Sequence, residues 1–452
     1  MSPGAIAEGG PLARALSSLS VRNYRLYFWG YSISVAGTWM QTLALAFLVL
    51  HLTNSGTALG VTTAARYLPL VLLGPVGGLV ADRYDKRKLL YFTQSASALV
   101  AVMFAVLTAL GQASVDAVIW LSLALGVLTI FDNPARQSLI AELVPRDRLA
   151  NAVTLNSVSI NLARVLGAAV GGALVAAAGL TTCFALNAVS FVAVLISLAL
   201  MRVGELYPTA RPPREKGQVR AGLRYAGRTP ELLLPLVLIT VTGTLAYEFP
   251  ITLPLVARGA FHGGAGTYGV MAAVMAVGAV TGGLITAARG GRRRAGTLSF
   301  AAVGWGVAIL AAALAPNLAC ELVALLFVGY GSISFNSLSK TALQLAAEPA
   351  MRGRVMALWT MAWGGTTVIG GPVVGWAAEE FGSRWSLIVG GVPTVLLGLA
   401  MLPALRRIDR SADTRQDPPV TAHLPAPAPS DRPAPSAEVP ATPPDLPSGT
   451  AR

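Results

Sequence analysis

The chain has 452 residues, of which 54% are hydrophobic and only 12% are charged. Soluble domains average about 25% charged residues, so this composition excludes an ordinary water-soluble enzyme. Its two cysteines, Cys183 and Cys320, are too few for a disulfide framework or a metal cluster. The net charge is +13, but it indicates a nucleic-acid partner only if the positions of the basic residues have no other explanation.

Apolar runs between charge clusters predict an all-α membrane protein with twelve transmembrane helices, because one crossing takes roughly 20 apolar residues. A cytoplasmic segment (1–23) precedes the spans, and a cytoplasmic basic linker (202–230) divides them into helix bundles at 24–201 and 231–405. The tail (406–452) is rich in proline, which is typical of disorder. The predicted spans are residues 24–50, 59–81, 89–111, 115–135, 152–178, 182–201, 231–255, 265–288, 296–315, 319–343, 354–378 and 385–405.

The basic residues predict the orientation of these spans. Nearly all of the 34 Lys and Arg residues fall in the N-terminal segment, in alternate loops, in the linker or in the tail. Outside the spans, Arg258 and Arg384 are the two exceptions. The positive-inside rule therefore places both termini in the cytoplasm, and it explains the net charge without nucleic acid.

The second half of the chain repeats the first at an offset of 204 residues. In this alignment Gly167 matches Gly371, and Gly171 matches Gly375. Two parallel repeats with a substrate site between them near the membrane midplane describe a known class of secondary transporter.

The loop after the second span joins glycines to one carboxylate and several cations. Residues 74–88 read Gly-Pro-Val-Gly-Gly-Leu-Val-Ala-Asp-Arg-Tyr-Asp-Lys-Arg-Lys. This resembles the signature loop of the major facilitator superfamily, Gly-x-x-x-Asp-Arg-x-Gly-Arg-Arg, with Asp85 in place of the usual glycine. A merely solvated basic loop is the alternative. The resemblance implies a cytoplasmic gate formed by Gly78, Asp82, Arg83, Lys86 and Arg87.

A longer resemblance covers about residues 20–405. It rests on Arg22-Asn23-Tyr24-Arg25-Leu26-Tyr27, Gly37-Thr38-Trp39-Met40-Gln41, Asp132-Asn133-Pro134-Ala135-Arg136-Gln137, Val144-Pro145 with Asn151-Ala152-Val153, and Arg352-Gly353-Arg354-Val355-Met356. These stretches are similar to the branch of that superfamily that contains enterobactin exporters and macrolide or multidrug efflux proteins. The resemblance implies two pseudo-symmetric six-helix bundles in a bacterial cytoplasmic membrane.

Span five also resembles the Gly-Pro-x-x-Gly-Gly motif of facilitator antiporters, with Ala168 in place of the proline. Span eleven keeps the proline. Ordinary packing of small residues is the alternative to a role in gating. The residues predicted for helix packing and gating are Gly167, Gly171, Gly172, Gly371, Pro372 and Gly375.

Ionisable residues within the spans are functional candidates, because a charge at bilayer depth is costly. Glu248, in Tyr-Glu-Phe-Pro, and Asp132 are the candidates for proton coupling, since a buried carboxylate binds a proton more readily than one in water. The alternative for Glu248 is a structural pair with Arg66 or Arg164. The alternative for Asp132, which lies two residues before Pro134 near the cytoplasmic end, is a gate or helix-cap role. Glu321 is expected near the outer surface, in contact with solvent.

In the superfamily that the chain resembles, spans one, four, seven and ten line a central cavity. The resemblance and the intramembrane charges together give a set of candidate cavity residues. For the aromatic members, packing or an interfacial position is the alternative. The set is Trp39, Gln41, Arg66, Arg164, Tyr247, Phe335 and Asn336.

The sequence thus predicts a transporter that exports a small amphipathic compound, such as a drug, a macrolide or a siderophore-like molecule, by proton antiport and alternating access. Its predicted partners are that substrate, protons and the lipid bilayer, with neither nucleic acid nor an obligate protein partner. No Walker loop and no clustered His and Cys occur in the sequence, so no cofactor, metal or enzymatic activity is predicted. An uptake symporter or uniporter of the same fold is the alternative, and a membrane enzyme or scaffold is a remote one.

Overall fold

The computed structural model describes residues 16–207, 218–288, 296–349 and 351–416, without the side chains of 75–79, 81–82, 218–221, 287–288 and 410–416. This part of the chain is built of helices and short turns, with no strand in it. Ten of its helical segments are long and apolar enough to cross a membrane. The prediction of an all-helical membrane protein is therefore confirmed.

The first half begins with a short 3-10 turn at Ser17–Ser20. A continuous helical segment of 51 residues, Leu149–Ala199, would be about 77 Å long, more than twice the roughly 30 Å of a bilayer core. Gly179 breaks it with φ 81° and ψ 174°, a conformation that is essentially restricted to glycine. We therefore treat it as α5 (residues 149–178) and α6 (residues 180–199). The helices before it are α1 (Arg22–Thr53), α2 (Gly56–Arg83), α3 (Lys86–Ala109) and α4 (Val115–Leu143).

The second half contains two helices that are interrupted rather than continuous. Non-helical residues separate α8 from α9, and a π-helical turn at Met361–Gly365 lies between α13 and α14. Its helices are α7 (Gln218–Arg228), α8 (Pro230–Leu245), α9 (Phe249–Gly259), α10 (Ala265–Ala288), α11 (Gly296–Ala313), α12 (Leu318–Ala346), α13 (Arg352–Thr360), α14 (Thr367–Phe381) and α15 (Trp385–Gln416).

Helical residues lie within the two segments that were predicted as the linker and the tail. The linker 202–230 is not a plain loop, since it contains α7, in which a Cβ atom on Gly222 would lie 3.1 Å from Arg354 Cβ at the start of α13. The last helix continues past residue 405 to Gln416, and the Asp409 carboxylate in it accepts a hydrogen bond from the Gly296 N–H at 2.8 Å. Residues 417–452, which hold most of the predicted disordered tail, lie outside the described residues.

Buried side chains form separate cores in the two halves. Helices α1–α6, here called the first bundle, enclose three cores, one of them small, and α8–α15, the second bundle, enclose a fourth. A few residues join the core of the opposite bundle: Ile251 and Val374 pack into the first, while Leu43 and Ala168 pack into the second. The two bundles are therefore in direct apolar contact.

Side-chain oxygens cap several helices at their N-termini and so fix where the spans begin. Ser55 accepts the Ala58 N–H at 3.1 Å, and Asp85 accepts the Lys88 N–H at 2.9 Å. Such caps satisfy amide groups that have no partner within the helix. Asp85, which stands where the facilitator loop usually has glycine, thus starts α3.

Candidate transport site and its gates

The seventh predicted span is broken at its centre. Residues 246–248 are non-helical between α8 and α9, and Pro250, in the first turn of α9, has no N–H to continue the helix. Tyr247 and Glu248 lie in this break. Irregular backbone at membrane depth is tolerated where protein covers it or where it borders a water-filled cavity.

Glu248 is buried, with only 2% of its surface exposed. Its Oε1 atom has no hydrogen-bond partner among the described residues. A Cβ atom on Gly370 would lie 3.1 Å from Oε1, so α14 packs directly against the carboxylate. None of the four ion pairs in the described part of the chain includes Glu248, so the alternative pairing with Arg66 or Arg164 is not formed there.

Tyr247 connects the break to helix α12. Its hydroxyl donates to the Ser332 carbonyl at 2.6 Å, and the Asn336 side chain is within hydrogen-bonding reach of the same hydroxyl. Its ring centroid lies 4.5 Å from that of Trp305. Phe335, by contrast, is fully buried and stacked on Trp305, which makes it part of the second-bundle core.

A cation of the first bundle lies close to this break. The Arg164 guanidinium sits 4.7 Å above the centre of the Trp39 ring. Its electrostatic neighbours are Tyr67 and Tyr247. A Cβ atom on Gly167 would be 2.5 Å from the Ala36 carbonyl oxygen, so this predicted packing glycine lets α5 approach α1 at the same level.

Two other candidate residues are bound inside the first bundle. The Gln41 side-chain oxygen Oε1 accepts a hydrogen bond from the Asn187 side-chain amide at 2.6 Å. Asp132 forms an ion pair with Arg136 and accepts a hydrogen bond from the Gln94 amide at 2.6 Å. These contacts account for the burial of both side chains without a substrate or a proton. Arg66 is half-buried, with no ion pair or hydrogen bond from its side chain among the described residues.

The predicted cytoplasmic gate is described only in part. Lys86 Nζ lies 2.6 Å from Glu142 Oε1, and Arg87 Nε donates to the Leu198 carbonyl at 2.8 Å. Both cations are thus held by their own bundle, while Arg83 is exposed. The side chains of Gly78 and Asp82 lie outside the described residues.

The bundles meet closely at the end opposite these basic residues, here called the outer end. A Cβ atom on Gly60 would lie 2.2 Å from the Gly371 carbonyl oxygen, and one on Gly375 would lie 2.1 Å from the Gly56 carbonyl oxygen. Helices α2 and α14 are therefore in backbone-to-backbone contact across the two bundles. Pro372 lies inside α14, between these two glycines.

A second contact of this kind joins α5 to α10. A Cβ atom on Gly172 would lie 2.6 Å from the Ala265 carbonyl oxygen and 2.9 Å from Gly269 Cα. The other predicted glycine of this motif, Gly171, packs on Met40 within the first bundle. The fifth span of each half therefore packs against the second span of the other half.

Two charges of the second bundle hold the tip of the α1–α2 hairpin. Glu379 Oε2 accepts from the Ser55 hydroxyl at 2.6 Å and from the Thr57 N–H at 2.9 Å, at the N-terminus of α2. Arg258 donates to the Leu50 carbonyl at 2.6 Å, at the C-terminal end of α1. Each charge has the sign that the helix dipole favours at that end. The sequence did not predict these contacts, although Arg258 was one of the two exceptions to the pattern of basic residues.

The expectation that Glu321 contacts solvent is wrong. Its relative exposure is 0%, and neither carboxylate oxygen has a hydrogen-bond partner among the described residues. Arg384, the other exception to the charge pattern, is its electrostatic neighbour and donates to the Ala313 carbonyl at 2.9 Å. Both exceptional arginines therefore bind the last turn of a helix.

Comparison with known proteins gives the family. The family model described as "Transmembrane secretion effector", of the major facilitator type, matches residues 13–428. The chain is 27% identical to the uncharacterised MFS-type transporter YfiS of Bacillus subtilis over 395 residues, which cover 82% of this chain and 90% of that one. It is 25% identical to the enterobactin exporter EntS of Salmonella choleraesuis over 406 residues, 88% of this chain and 95% of EntS.

Two further similarities are informative. The staphyloferrin A transporter of Staphylococcus aureus is 27% identical over 265 residues, 56% of this chain and 64% of that one. Among solved structures, a bacterial homologue of the human lysosomal transporter Spinster, inward-facing and unoccupied, superposes with a TM-score of 0.69 at 16% identity, covering 89% of this chain and 99% of that one. The chain is a multi-pass membrane protein that belongs to the transmembrane secretion effector family of major facilitator transporters.

Proposed function

We propose that the chain exports a small amphipathic compound from the bacterial cytoplasm in exchange for protons, by alternating access of its two bundles. Twelve candidate crossings are consistent with this architecture: the ten long segments, a further one if the break at Gly179 divides the longest of them, and one formed by α13, the π turn and α14. With an even number of crossings, both termini lie on the same side, and the charge pattern makes that side the cytoplasm.

The close contacts between bundles support a cytoplasm-facing conformation. They lie at the outer end, where Gly60 meets Gly371 and Glu379 meets the start of α2. Since the outer end is closed, a site at the level of Glu248 and Arg164 is reached from the basic side. The similarity to a transporter captured facing inward agrees with this arrangement.

The proton-coupling proposal rests on the environment of the Glu248 carboxylate. It is a buried carboxylate without an ion-pair partner in the described part of the chain, and it lies in the break of a span. Burying an unpaired charge is costly, and binding a proton removes the charge. Broken spans near the midplane are where transporters commonly bind coupling ions.

The exchange cycle follows from this position. When the outer end opens, a proton from outside neutralises Glu248 as the substrate leaves. The neutral carboxyl group lets the bundles return to the cytoplasm-facing state, where the proton is released and the next substrate binds. The proton gradient thus drives export without ATP.

The test uses everted membrane vesicles that contain the full chain, with a panel of macrolides, dyes and siderophores to find the transported compound. Glu248→Gln should remove uptake driven by an imposed pH gradient, because glutamine cannot exchange a proton. Glu231→Gln removes the same charge at an exposed position of α8 and should transport normally. Full pH-driven transport by E248Q would refute the assignment, and transport in the opposite direction would make the protein an uptake system.

A further inference from the structure

Arg164 is a cation that lacks a counter-ion in the interior of the first bundle. It lies near the middle of α5, and its guanidinium rests on the face of Trp39 at 4.7 Å. In the described part of the chain no carboxylate forms an ion pair with it. Arg136 of α4, by contrast, forms an ion pair with Asp132.

The guanidinium nitrogens are free to bind. Nε is buried and has no hydrogen-bond partner in the described chain. The two terminal nitrogens make no hydrogen bond in the described chain either, and they are not fully buried. An arginine without an anion at this depth costs free energy, which a bound anion would recover.

The protein groups around Arg164 do not neutralise it. Its electrostatic neighbours, Tyr67 and Tyr247, are neutral phenols. The Tyr247 proton is already donated to the Ser332 carbonyl, which leaves that hydroxyl only as an acceptor. Trp39 covers one face of the guanidinium and leaves its edge available to a ligand. A guanidinium edge offers two parallel N–H groups, the geometry that a carboxylate accepts in bidentate fashion.

Aromatic side chains lie beside Arg164 and beside its neighbour Tyr247. Trp39 lies under the cation, and the Tyr247 ring has Trp363 edge-on at 6.2 Å. Trp363 itself is half-buried, and its indole N–H has no partner among the described residues. A flat apolar group attached to the carboxylate would therefore find aromatic contacts.

We propose that the transported molecule is an aromatic carboxylate, whose acidic group binds the edge of Arg164 as the missing counter-ion. This inference rests on the proposed function, since it names the substrate class of the same central site. The proposal also explains why the described part of the first bundle has no carboxylate paired with Arg164. The counter-ion is part of the substrate, so it binds and leaves with the substrate.

The test is equilibrium binding to the purified full-length protein in detergent, with two probes of the same shape. Radiolabelled naphthalene-2-carboxylate should bind at least about tenfold more tightly than naphthalene-2-carboxamide, which lacks the charge. Arg164→Gln should make the two affinities equal, and Arg164→Lys should keep part of the preference, because lysine retains the charge without the planar fork. Arg228→Gln, an exposed change of the same kind, should leave the preference intact.

Equal affinity of the wild-type protein for the two probes would overturn the proposal. So would absence of saturable binding by the carboxylate, or an unchanged preference in R164Q. If R164Q does not elute as a folded species in size-exclusion chromatography, the comparison of the two probes on the wild-type protein decides alone. No pH gradient is present in this experiment, so its failure is separate from a failure of proton-driven export.

Discussion

The outer and basic ends of the molecule are organised by different kinds of contact. At the outer end, helices α2 and α14 touch through backbone atoms at Gly60 and Gly371, and Glu379 binds across the bundles to the start of α2. At the basic end, Lys86 and Arg87 bind partners in their own bundle. Contacts between glycines and charges at helix ends therefore join the two bundles. Lys86 and Arg87, by contrast, contact only their own bundle.

The largest effect is expected from removing the close approach at the outer end. Gly60→Leu would place side-chain atoms where the Gly371 carbonyl now lies, and overpacking of this kind typically costs about 1–3 kcal/mol. We expect the outer ends to separate and export to fall at least about tenfold. Labelling of a cysteine at Thr57 by an impermeant maleimide should rise, in a background where Cys320, the exposed cysteine, is serine.

Gly304→Leu is the matched control, because a Cβ atom at Gly304 meets nothing within 4 Å. If both leucine variants label alike, backbone contact between α2 and α14 does not close the outer end.

A smaller effect is expected from neutralising the two charged residues that bind the tip of the α1–α2 hairpin. Glu379→Gln and Arg258→Gln weaken charge-assisted hydrogen bonds to helix termini, and solvent screening limits the contribution of exposed Glu379. Each should raise maleimide labelling at Thr57 by about two- to fivefold, and the double variant more. Glu380→Gln, next to Glu379 and equally exposed, should label like the wild type.

The smallest effect is expected at the basic end. Lys86→Gln breaks the pair with Glu142, in which each side chain is 15% exposed, and should lower the free energy of unfolding by about 1 kcal/mol. Thermal unfolding in detergent measures this loss, with the exposed Lys88→Gln as its control. Labelling at Thr57 should stay unchanged, because the pair lies within one bundle. Increased labelling in K86Q would show that the two ends are coupled through this pair.

The broad architecture could be predicted because it depends on local properties of the sequence. Apolar runs between charges located the spans, whereas the break of the seventh span before Pro250 was not predicted. The glycines Gly371 and Gly375 were identified by the internal repeat and by their resemblance to the antiporter motif, and small residues at such positions allow two helix backbones to touch.

The partners of individual side chains could not be predicted, because they depend on which helices meet. Gln41 was a cavity candidate by resemblance, yet it binds Asn187 on α6. Glu321 was expected in solvent because it begins a span, but Arg384 lies beside it and the side chain is buried. Gly56 and Gly60 were overlooked, since their role is visible only when α14 is placed against them.

The break at Gly179 has a practical consequence for any molecule that approaches from outside. A single residue joins α5 to α6, and only Asn54 and Ser55 separate α1 from α2. Connections this short offer almost no epitope to an antibody and no room for an inserted tag. Reporter insertions should therefore be placed between α3 and α4, at residues 110–114, where the longer turn already contains a glycine with positive φ at Gly111.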